Sequence, residues 1–317
     1  MKHALIIGIN EQDGAYLTNF LLNKGYQVAG TSRDSMATSF SNLKHLGVDG
    51  AVEKISMVLN DFRSVLAVFK EFSPNEIYNL AGQTSVGLSF EQPVEIMESI
   101  TFGTLNILEA IRFYNAGSSE CFCDTMNEPA RESTPFSPRS PYAVAKVAAY
   151  GLVRNYRESY GLFACTGILF KHESPLRPER FVTQKIIQAA RHISQNLDEK
   201  LPLGNISIYR DWGWAPEYVE AMWLMLQQEI PDDFVIATGK SVSLEYFIEK
   251  AFSYHGLSWK NHMLIDSSFL RPSDVEYGRA DPHKAESILG WKAKYDVDDV
   301  IRMMSTTTQD AESSIVN

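Results

Sequence analysis

Short apolar runs alternate with amphipathic stretches along the first half of the chain. The run at His3–Ile7 is typical of a strand buried on both faces, and residues 14–23 carry apolar side chains at helical spacing up to Gly25. This alternation predicts an α/β fold with a doubly wound parallel sheet and right-handed crossovers. The predicted strands are 3–7, 27–31, 51–56, 76–80, 113–116 and 164–169, and the predicted helices are 14–23, 61–72, 93–113 and 142–160.

The pattern changes after Phe170, where prolines and tryptophans become frequent and strand-like runs become sparse. We expect a Rossmann-type domain over residues 1–170, completed by a return strand at 234–238, inside the segment 231–240. Residues 171–230 and 241–317 are expected to form a smaller, mostly helical lobe. The predicted helix 93–113 runs straight into the predicted strand 113–116, whereas a helix-to-strand connection usually takes about 2–6 residues. Either the helix ends early, or a turn has been lost.

Composition narrows the class of partner. The 317 residues contain 29 Lys and Arg against 39 Asp and Glu, a net charge of −10, which disfavours binding to nucleic acid or to an anionic membrane. The three cysteines lack the spacing of a zinc site or a disulfide framework, so we predict no metal and a reducing, cytoplasmic location. The first apolar run is too short for a signal peptide or a membrane span.

A glycine-containing loop follows the first predicted strand. Gly8 permits a tight turn, Gly14 permits close packing of the next helix on the strand, and the helix N-terminus offers amides to a pyrophosphate. Glu11 stands at the middle position, where a glycine is usual, and a buried unpaired charge there would weaken binding of a dinucleotide. An ordinary strand–turn–helix without a ligand is the alternative interpretation.

The second predicted strand leads into Arg33 and Asp34. An acidic residue at this point binds an adenosine ribose and indicates NAD, whereas an arginine accommodates a 2′-phosphate and indicates NADP. Because Arg33 comes first, NADP is the favoured cofactor. A solvated pair of loop charges is the alternative.

The most specific chemical signal is Tyr142 with Lys146, four residues apart on a predicted helix. This spacing places both side chains on one helix face, and a nearby ammonium favours the phenolate form of a tyrosine. Tyr142 is therefore expected to act as a base near neutral pH. The pair follows the predicted strand that leads to residues 117–120, at the edge where doubly wound sheets bind ligands.

These features resemble the extended short-chain dehydrogenase/reductases, and longer stretches resemble the GDP-mannose 4,6-dehydratase family in particular. The resemblance runs from residue 4 to about residue 304. It rests on residues 12–17 (QDGAYL), 77–81 (IYNLA), 134–142 (TPFSPRSPY), 155–161 (NYRESYG), 172–175 (HESP), 210–213 (RDWG) and 233–239 (DFVIATG).

The resemblance implies that NADP takes a hydride from sugar C4, that water leaves across C5–C6, and that the hydride returns to C6. Tyr142 would deprotonate the O4 hydroxyl, Lys146 would hold the phenolate and the cofactor ribose, Ser118 would hydrogen-bond O4, and Glu120 would move the C5 proton. The implied cofactor contacts are Gly8, Gln12, Asp13, Gly14, Arg33, Ala81, Tyr142, Lys146 and His172. The implied GDP-mannose contacts are Ser85, Arg177, Arg210, Arg271 and Asp274, in a homodimer or homotetramer.

Several positions depart from the family pattern. Besides Glu11, Cys123 stands where the family has glycine, Lys171 stands where it has asparagine, and the family has additional residues between Arg112 and Phe113. Lys171 is a candidate for neutralising a phosphate. These departures keep two alternatives open, namely a catalytically impaired relative that binds nucleotide or a partner subunit, and a GDP-sugar reductase or epimerase.

Overall fold

A seven-stranded sheet forms the centre of the molecule in the computed structural model, which describes residues 1–108, 112–196, 199–270 and 272–306. Its strands are β1 His3–Ile7, β2 Gln27–Ser32, β3 Glu53–Ser56, β4 Glu76–Asn79, β5 Arg112–Ala116, β6 Phe163–Leu169 and β10 Phe234–Ile236. The strand order is β10-β6-β5-β4-β1-β2-β3, and every neighbouring pair is parallel. Chain order reverses between β1 and β4, and this switch point is where such sheets bind ligands.

Helices cover both faces of this sheet. The α-helices of the described residues, of which α8, α10 and α11 pack away from this sheet, are α1 Gln12–Asn23, α2 Ser41–His45, α3 Phe62–Phe72, α4 Val86–Glu91, α5 Pro93–Ile96, α6 Gly103–Ile107, α7 Pro141–Tyr160, α8 Val182–Gln195, α9 Ala215–Gln227, α10 Leu244–Tyr254 and α11 Val297–Ser305. Successive side chains of β1 point to opposite sides of the sheet. Ala4 and Ile6 therefore belong to the apolar cluster that contains α1 and α9, while Leu5 and Ile7 belong to the cluster that contains α3.

The doubly wound sheet is confirmed, and most predicted boundaries differ from the observed ones by one or two residues. The predicted helix 93–113 is wrong at its end: helical structure stops at Ile107, after a π-helical turn at Met97–Phe102. The strand already begins at Arg112, because Phe113 and Tyr114 are fully buried between the neighbouring strands. Residues 109–111, which connect this helix to β5 in the sequence, lie outside the described residues.

A second group of elements packs around its own apolar cluster, which includes residues of α8, α10 and α11. Among the described residues it also contains five short strands, β7 Lys171–Glu173, β8 Leu201–Leu203, β9 Tyr209–Trp214, β11 Ser241–Ser243 and β12 Met263–Ile265. These form two small sheets, β11-β9-β7 and β12-β8, so this half contains more strands than the sparse apolar runs indicate.

Packing and chain order do not coincide in the second half. Helix α9 lies within the segment 171–230 but packs against α1 on the large sheet, and Ala285, Leu289 and Trp291 join the same cluster. The predicted return strand is β10, which pairs with β6 over three residues. The division into 1–170 and a lobe of 171–230 with 241–317 stays a prediction. None of the helices in the described part of the chain combines the length and apolar character needed to cross a bilayer.

A buried ion pair fastens α7 to the edge of the large sheet. The Arg157 guanidinium donates to both carboxylate oxygens of Asp233, at 2.9 and 2.6 Å, and Asp233 also accepts from the backbone amide of Thr166 at 2.7 Å. Asp233 immediately precedes β10, so this pair links α7, β6 and β10.

Replacing Arg157 with alanine is expected to lower the free energy of unfolding by about 3 kcal/mol or more, because it leaves the buried Asp233 carboxylate without its counterion. Urea denaturation at neutral pH measures this loss. The matched control is Arg154→Ala, which removes an exposed pair with Glu158 on the same helix and is expected to leave stability unchanged. Equal losses in the two variants would show that the buried pair is no more important than the exposed one.

Candidate active site

The turn between β1 and α1 brings the helix N-terminus close to two strand ends. Gly8 adopts φ +88°, and a side chain there would place Cβ 3.0 Å from the backbone nitrogen of Ala81, just beyond β4. A side chain at Gly14 would collide with the carbonyl oxygen of Gly8 and the backbone of Ile9. Both glycines are therefore required by close backbone packing, as the sequence indicates.

Glu11 fits this turn without strain. It is the N-cap of α1, with φ −77° and ψ 168°, a conformation that any residue adopts, and its side chain is exposed. The Glu11 side chain is therefore not a buried charge in this structure, and its effect on dinucleotide binding stays a prediction. The middle position of this loop needs no glycine for its backbone geometry.

Polar side chains join the start of α1 to β7. His172 places Nε2 2.9 Å from Asp13 Oδ2 and Nδ1 2.7 Å from the carbonyl oxygen of Phe170. Both partners are oxygen atoms that accept hydrogen bonds. Gln12 donates to Asp13 and to the carbonyl of His172. Burial acts to raise the pKa of Asp13, but His172 and Gln12 outweigh it and hold that pKa below its usual value.

The candidate catalytic residues come together beyond the carboxyl end of β5. Ser118 caps a 3₁₀ turn, Ser119–Cys121, and its hydroxyl accepts from the backbone amide of Glu120 at 3.2 Å. Tyr142 and Lys146 lie one turn apart on α7, whose N-terminus is capped by Ser140. The Ser118 hydroxyl is also hydrogen-bonded to Tyr142. All four predicted catalytic side chains are therefore buried in one region.

Burial dominates the proton affinities of the Tyr142–Lys146 pair. It raises the pKa of Tyr142, which the hydrogen bond from Ser118 lowers only in part. It also lowers the pKa of Lys146 to about 8. The Lys146 ammonium donates to the carbonyl oxygen of Ala116 at 2.7 Å and lies 5.7 Å from the centre of the Tyr142 ring. The expected lowering of the phenol pKa is therefore wrong for this arrangement, because both groups lose hydration.

Lys171 pairs with the candidate acid/base. Its ammonium donates to Glu120 Oε1 at 2.7 Å, from the first residue of β7. The sequence makes Lys171 a candidate for neutralising a phosphate, but in the structure it forms an ion pair with the Glu120 carboxylate. Sequence reasoning recognises Lys171 as a departure but misses its partner, and the 51 positions that separate the two residues carry no local signal of their contact.

The residues predicted to hold the substrate occupy different surroundings. Arg210 is buried, donates to Asp274 at 3.1 Å and lines the same cavity as Glu120 and Cys123. Arg177 lies 3.2 Å from Glu173, and its guanidinium stacks over the ring of Phe181. Ser85 caps α4. The prediction for Arg271 lies outside the described residues.

Two further predicted contacts follow strands of the large sheet. Arg33 follows β2, is exposed, and lies 3.3 Å from Glu95. Ala81 follows β4 and faces Gly8 across the turn described above. No cluster of three or more His, Cys, Asp or Glu side chains within the described ranges is arranged to hold a metal ion.

Similar proteins identify the family. A family model described as GDP-mannose 4,6 dehydratase matches residues 5–304. GDP-mannose 4,6 dehydratase 1 of Arabidopsis thaliana is 47% identical over 320 residues, covering 96% of this chain and 88% of the relative. GDP-mannose 4,6-dehydratase of Vibrio cholerae is 40% identical over 344 residues, covering 96% and 92%.

Solved structures show the same fold. The UDP-glucose 4-epimerase of Thermus thermophilus, in complex with NAD, superimposes with a TM-score of 0.85 at 23% identity, covering 98% of this chain and 99% of that one. The dTDP-glucose 4,6-dehydratase of Bacillus anthracis, also with NAD, has a TM-score of 0.83 at 17% identity, covering 99% and 97%. Because the family model matches residues 5–304 of the 317 residues, this chain belongs to the GDP-mannose 4,6-dehydratase family.

Proposed function

We propose that this protein dehydrates GDP-mannose to GDP-4-keto-6-deoxymannose by an internal redox cycle on a bound NADP. One observation carries the proposal: Ser118, Glu120, Tyr142 and Lys146 converge at the carboxyl end of β5, beside the switch point, in a chain of this family. The reaction class is a hydro-lyase, and the retained carboxylate supplies the base that elimination requires.

The turn after β1 fits a dinucleotide. The close packing at Gly8 and Gly14 leaves the first-turn amides of α1 at the sheet edge, where a helix N-terminus favours a pyrophosphate. Asn10 Oδ1 is buried in this turn without a hydrogen-bond partner among the described residues, and a ligand hydroxyl would satisfy it. The proposed contacts are Gly8, Gln12, Asp13, Gly14, Arg33, Ala81, Tyr142, Lys146 and His172.

When bound, the oxidised dinucleotide supplies a hydride acceptor and a positive charge that favours the Tyr142 phenolate. Tyr142 then removes the proton of the O4 hydroxyl, while Ser118 orients that hydroxyl through a hydrogen bond. Because burial lowers the pKa of Lys146 only to about 8, this ammonium stays largely protonated at neutral pH and stabilises the phenolate. Burial of these groups keeps water away from the intermediate.

Glu120 carries out the elimination. Its carboxylate takes the C5 proton, which is acidic once C4 is a ketone, and the C5–H electron pair forms the C5–C6 double bond. The C6–O bond breaks, and Glu120 returns its proton to the departing hydroxyl, which leaves as water. Return of the hydride to C6 and addition of a proton to C5 would then give the 4-keto-6-deoxy sugar. A carboxyl that both takes and gives a proton needs a tuned environment, and Glu120 is buried beside Lys171.

The GDP diphosphate is proposed to bind to arginines. Arg177, Arg210 and Arg271, with Ser85 and Asp274, form the proposed substrate set. Arginine forks bind phosphate oxygens in a bidentate manner, which suits a chain whose overall charge is negative. Arg210 lines the cavity that contains Glu120, so a bound diphosphate would lie near the sugar-binding end.

Purified protein with GDP-mannose and NADP is expected to form the 4-keto-6-deoxy product. Glu120→Gln is expected to lower kcat by about 10²–10⁴-fold, because the amide cannot take the C5 proton. The control Glu286→Gln, at an exposed carboxylate paired with Lys292, is expected to retain full activity. Absence of product from the unmodified protein, with dinucleotide binding shown by a raised Tm, would favour the impaired relative, and an epimer with an intact C6 hydroxyl would favour the epimerase alternative.

The preference for NADP over NAD is proposed to depend on Arg33. Its exposed guanidinium, just after β2, forms an ion pair with Glu95. Because an exposed ion pair is weak, the guanidinium is available to a 2′-phosphate. Arg33→Ala is expected to raise the Kd for NADP about tenfold and to leave the Kd for NAD unchanged, as measured by calorimetry. Equal losses for both dinucleotides, or tighter binding of NAD by the unmodified protein, would contradict this assignment.

We also propose a cytoplasmic homodimer or homotetramer. Large apolar side chains are exposed on α5, the π-helical turn and α7, which pack together: Val94 is 69% exposed, Phe102 54% and Val144 45%. Light scattering is expected to give two or four times the chain mass of 35.7 kDa. Phe102→Glu is expected to lower the measured mass, whereas the same change at the distant, exposed Ile230 leaves it unchanged.

A further inference from the structure

Lys171 and Glu120 form an ion pair that joins the catalytic turn to the second group of elements. The Lys171 ammonium lies 2.7 Å from Glu120 Oε1. Glu120 is 7% exposed and the Lys171 side chain is 28% exposed, so the pair is partly removed from water. Charge pairs in such surroundings are screened less than surface pairs.

The backbone of Lys171 is fixed from several directions. It pairs with Trp212 in the small sheet, and the preceding residue, Phe170, donates its amide to Ile236 in the large sheet. The following residue, His172, is held by Asp13. Because the backbone at Lys171 is fixed, the fold places the Lys171 side chain within hydrogen-bonding reach of Glu120.

Other polar and ionisable groups surround Glu120. Burial raises the pKa of the Cys121 thiol to about 12, so that thiol stays neutral. Tyr142 lies close enough for Glu120 to act on it electrostatically, and Arg210 lines the same cavity. Lys146 directs its ammonium to the carbonyl of Ala116. Lys171 is a cation that donates a direct hydrogen bond to the carboxylate.

We propose that Lys171 is a positioning residue that tunes Glu120 for both halves of the elimination, an inference that rests on the proposed function. An adjacent ammonium favours the ionised carboxylate, so Glu120 begins the step as a base. After Glu120 has taken the C5 proton, the same ammonium makes the carboxyl a stronger acid toward the departing C6 hydroxyl. Lys171 keeps its own proton throughout, and the proton removed from C5 leaves in the water.

The test compares pH profiles of kcat for GDP-mannose. Lys171→Asn is expected to move the acid limb to higher pH by about one unit, because loss of the cation makes Glu120 easier to protonate. It is also expected to lower kcat about tenfold with little change in KM. Lys171→Arg, which keeps the charge, is expected to restore the acid limb. The matched control is Lys250→Asn, which removes a lysine–carboxylate pair with Asp298 on a distant helix and leaves the profile unchanged.

A second measurement does not depend on turnover. Thermal unfolding of Lys171→Met, Glu120→Gln and the double variant is expected to be non-additive, because the two side chains touch. Lys171→Met keeps the length of the stem, so it also replaces the asparagine variant in the kinetic test if that variant fails to fold.

The outcomes separate the two proposals. Turnover by the unmodified protein with an unchanged acid limb in Lys171→Asn overturns the assignment of Lys171 and leaves the proposed function intact. Additive unfolding shifts overturn the assignment as well. No turnover by the unmodified protein, with dinucleotide bound, overturns the proposed function and the assignment of Lys171 with it.

Discussion

The position of strand β5 is the constraint on which the candidate active site depends. β5 is hydrogen-bonded on both sides, with Phe113 opposite Ile77 of β4 and Ala164 of β6. Beyond the strand, the Gly117 amide donates to Gly167 at 2.8 Å, so the ladder extends up to Ser118. A ladder paired on both edges fixes register, because a slip of one residue would turn every side chain to the opposite face. Pairing of β5 on both edges therefore determines the direction in which Ser118 and Glu120 leave the sheet.

Desolvation is the physical consequence of placing the chemistry there. Tyr142, Lys146 and Glu120 are all less than a tenth exposed, so each charged form is costly unless a partner is near. Each group has a different polar partner. Tyr142 is hydrogen-bonded to the Ser118 hydroxyl, Lys146 donates to the Ala116 carbonyl, and Glu120 accepts from the Lys171 ammonium. A site built in this way has its proton affinities set by packing, which is how one fold supports acid and base chemistry near neutral pH.

The sequence predicts those features that depend on local pattern. The alternation of strands and helices, the capping of α3 by Asp61 and the pairing of Tyr142 with Lys146 on one helix face are all local, and the structure has each of them. The predicted end of the helix before β5 is wrong, because apolar periodicity continues while burial of Phe113 decides the strand. The hydrogen bond between Lys171 and Glu120 depends on side-chain directions beyond the paired strands β5 and β6, which local sequence pattern does not give. Proton affinities likewise depend on burial, which the spacing of two residues does not reveal.

Two arginines of the proposed substrate site are paired with carboxylates, and these pairs affect how tightly the site would bind a diphosphate. Arg210 is paired with Asp274, and Arg177 lies beside Glu173. A diphosphate that binds the arginines must compete with these carboxylates, so its affinity is a difference between two sets of ion pairs and is smaller than either. The same competition favours a diphosphate over a monophosphate, because a ligand with one phosphate gains less binding free energy while it displaces the same carboxylates. In the proposed site, the carboxylates beside Arg177 and Arg210 thus favour a ligand whose negative charges match both arginines.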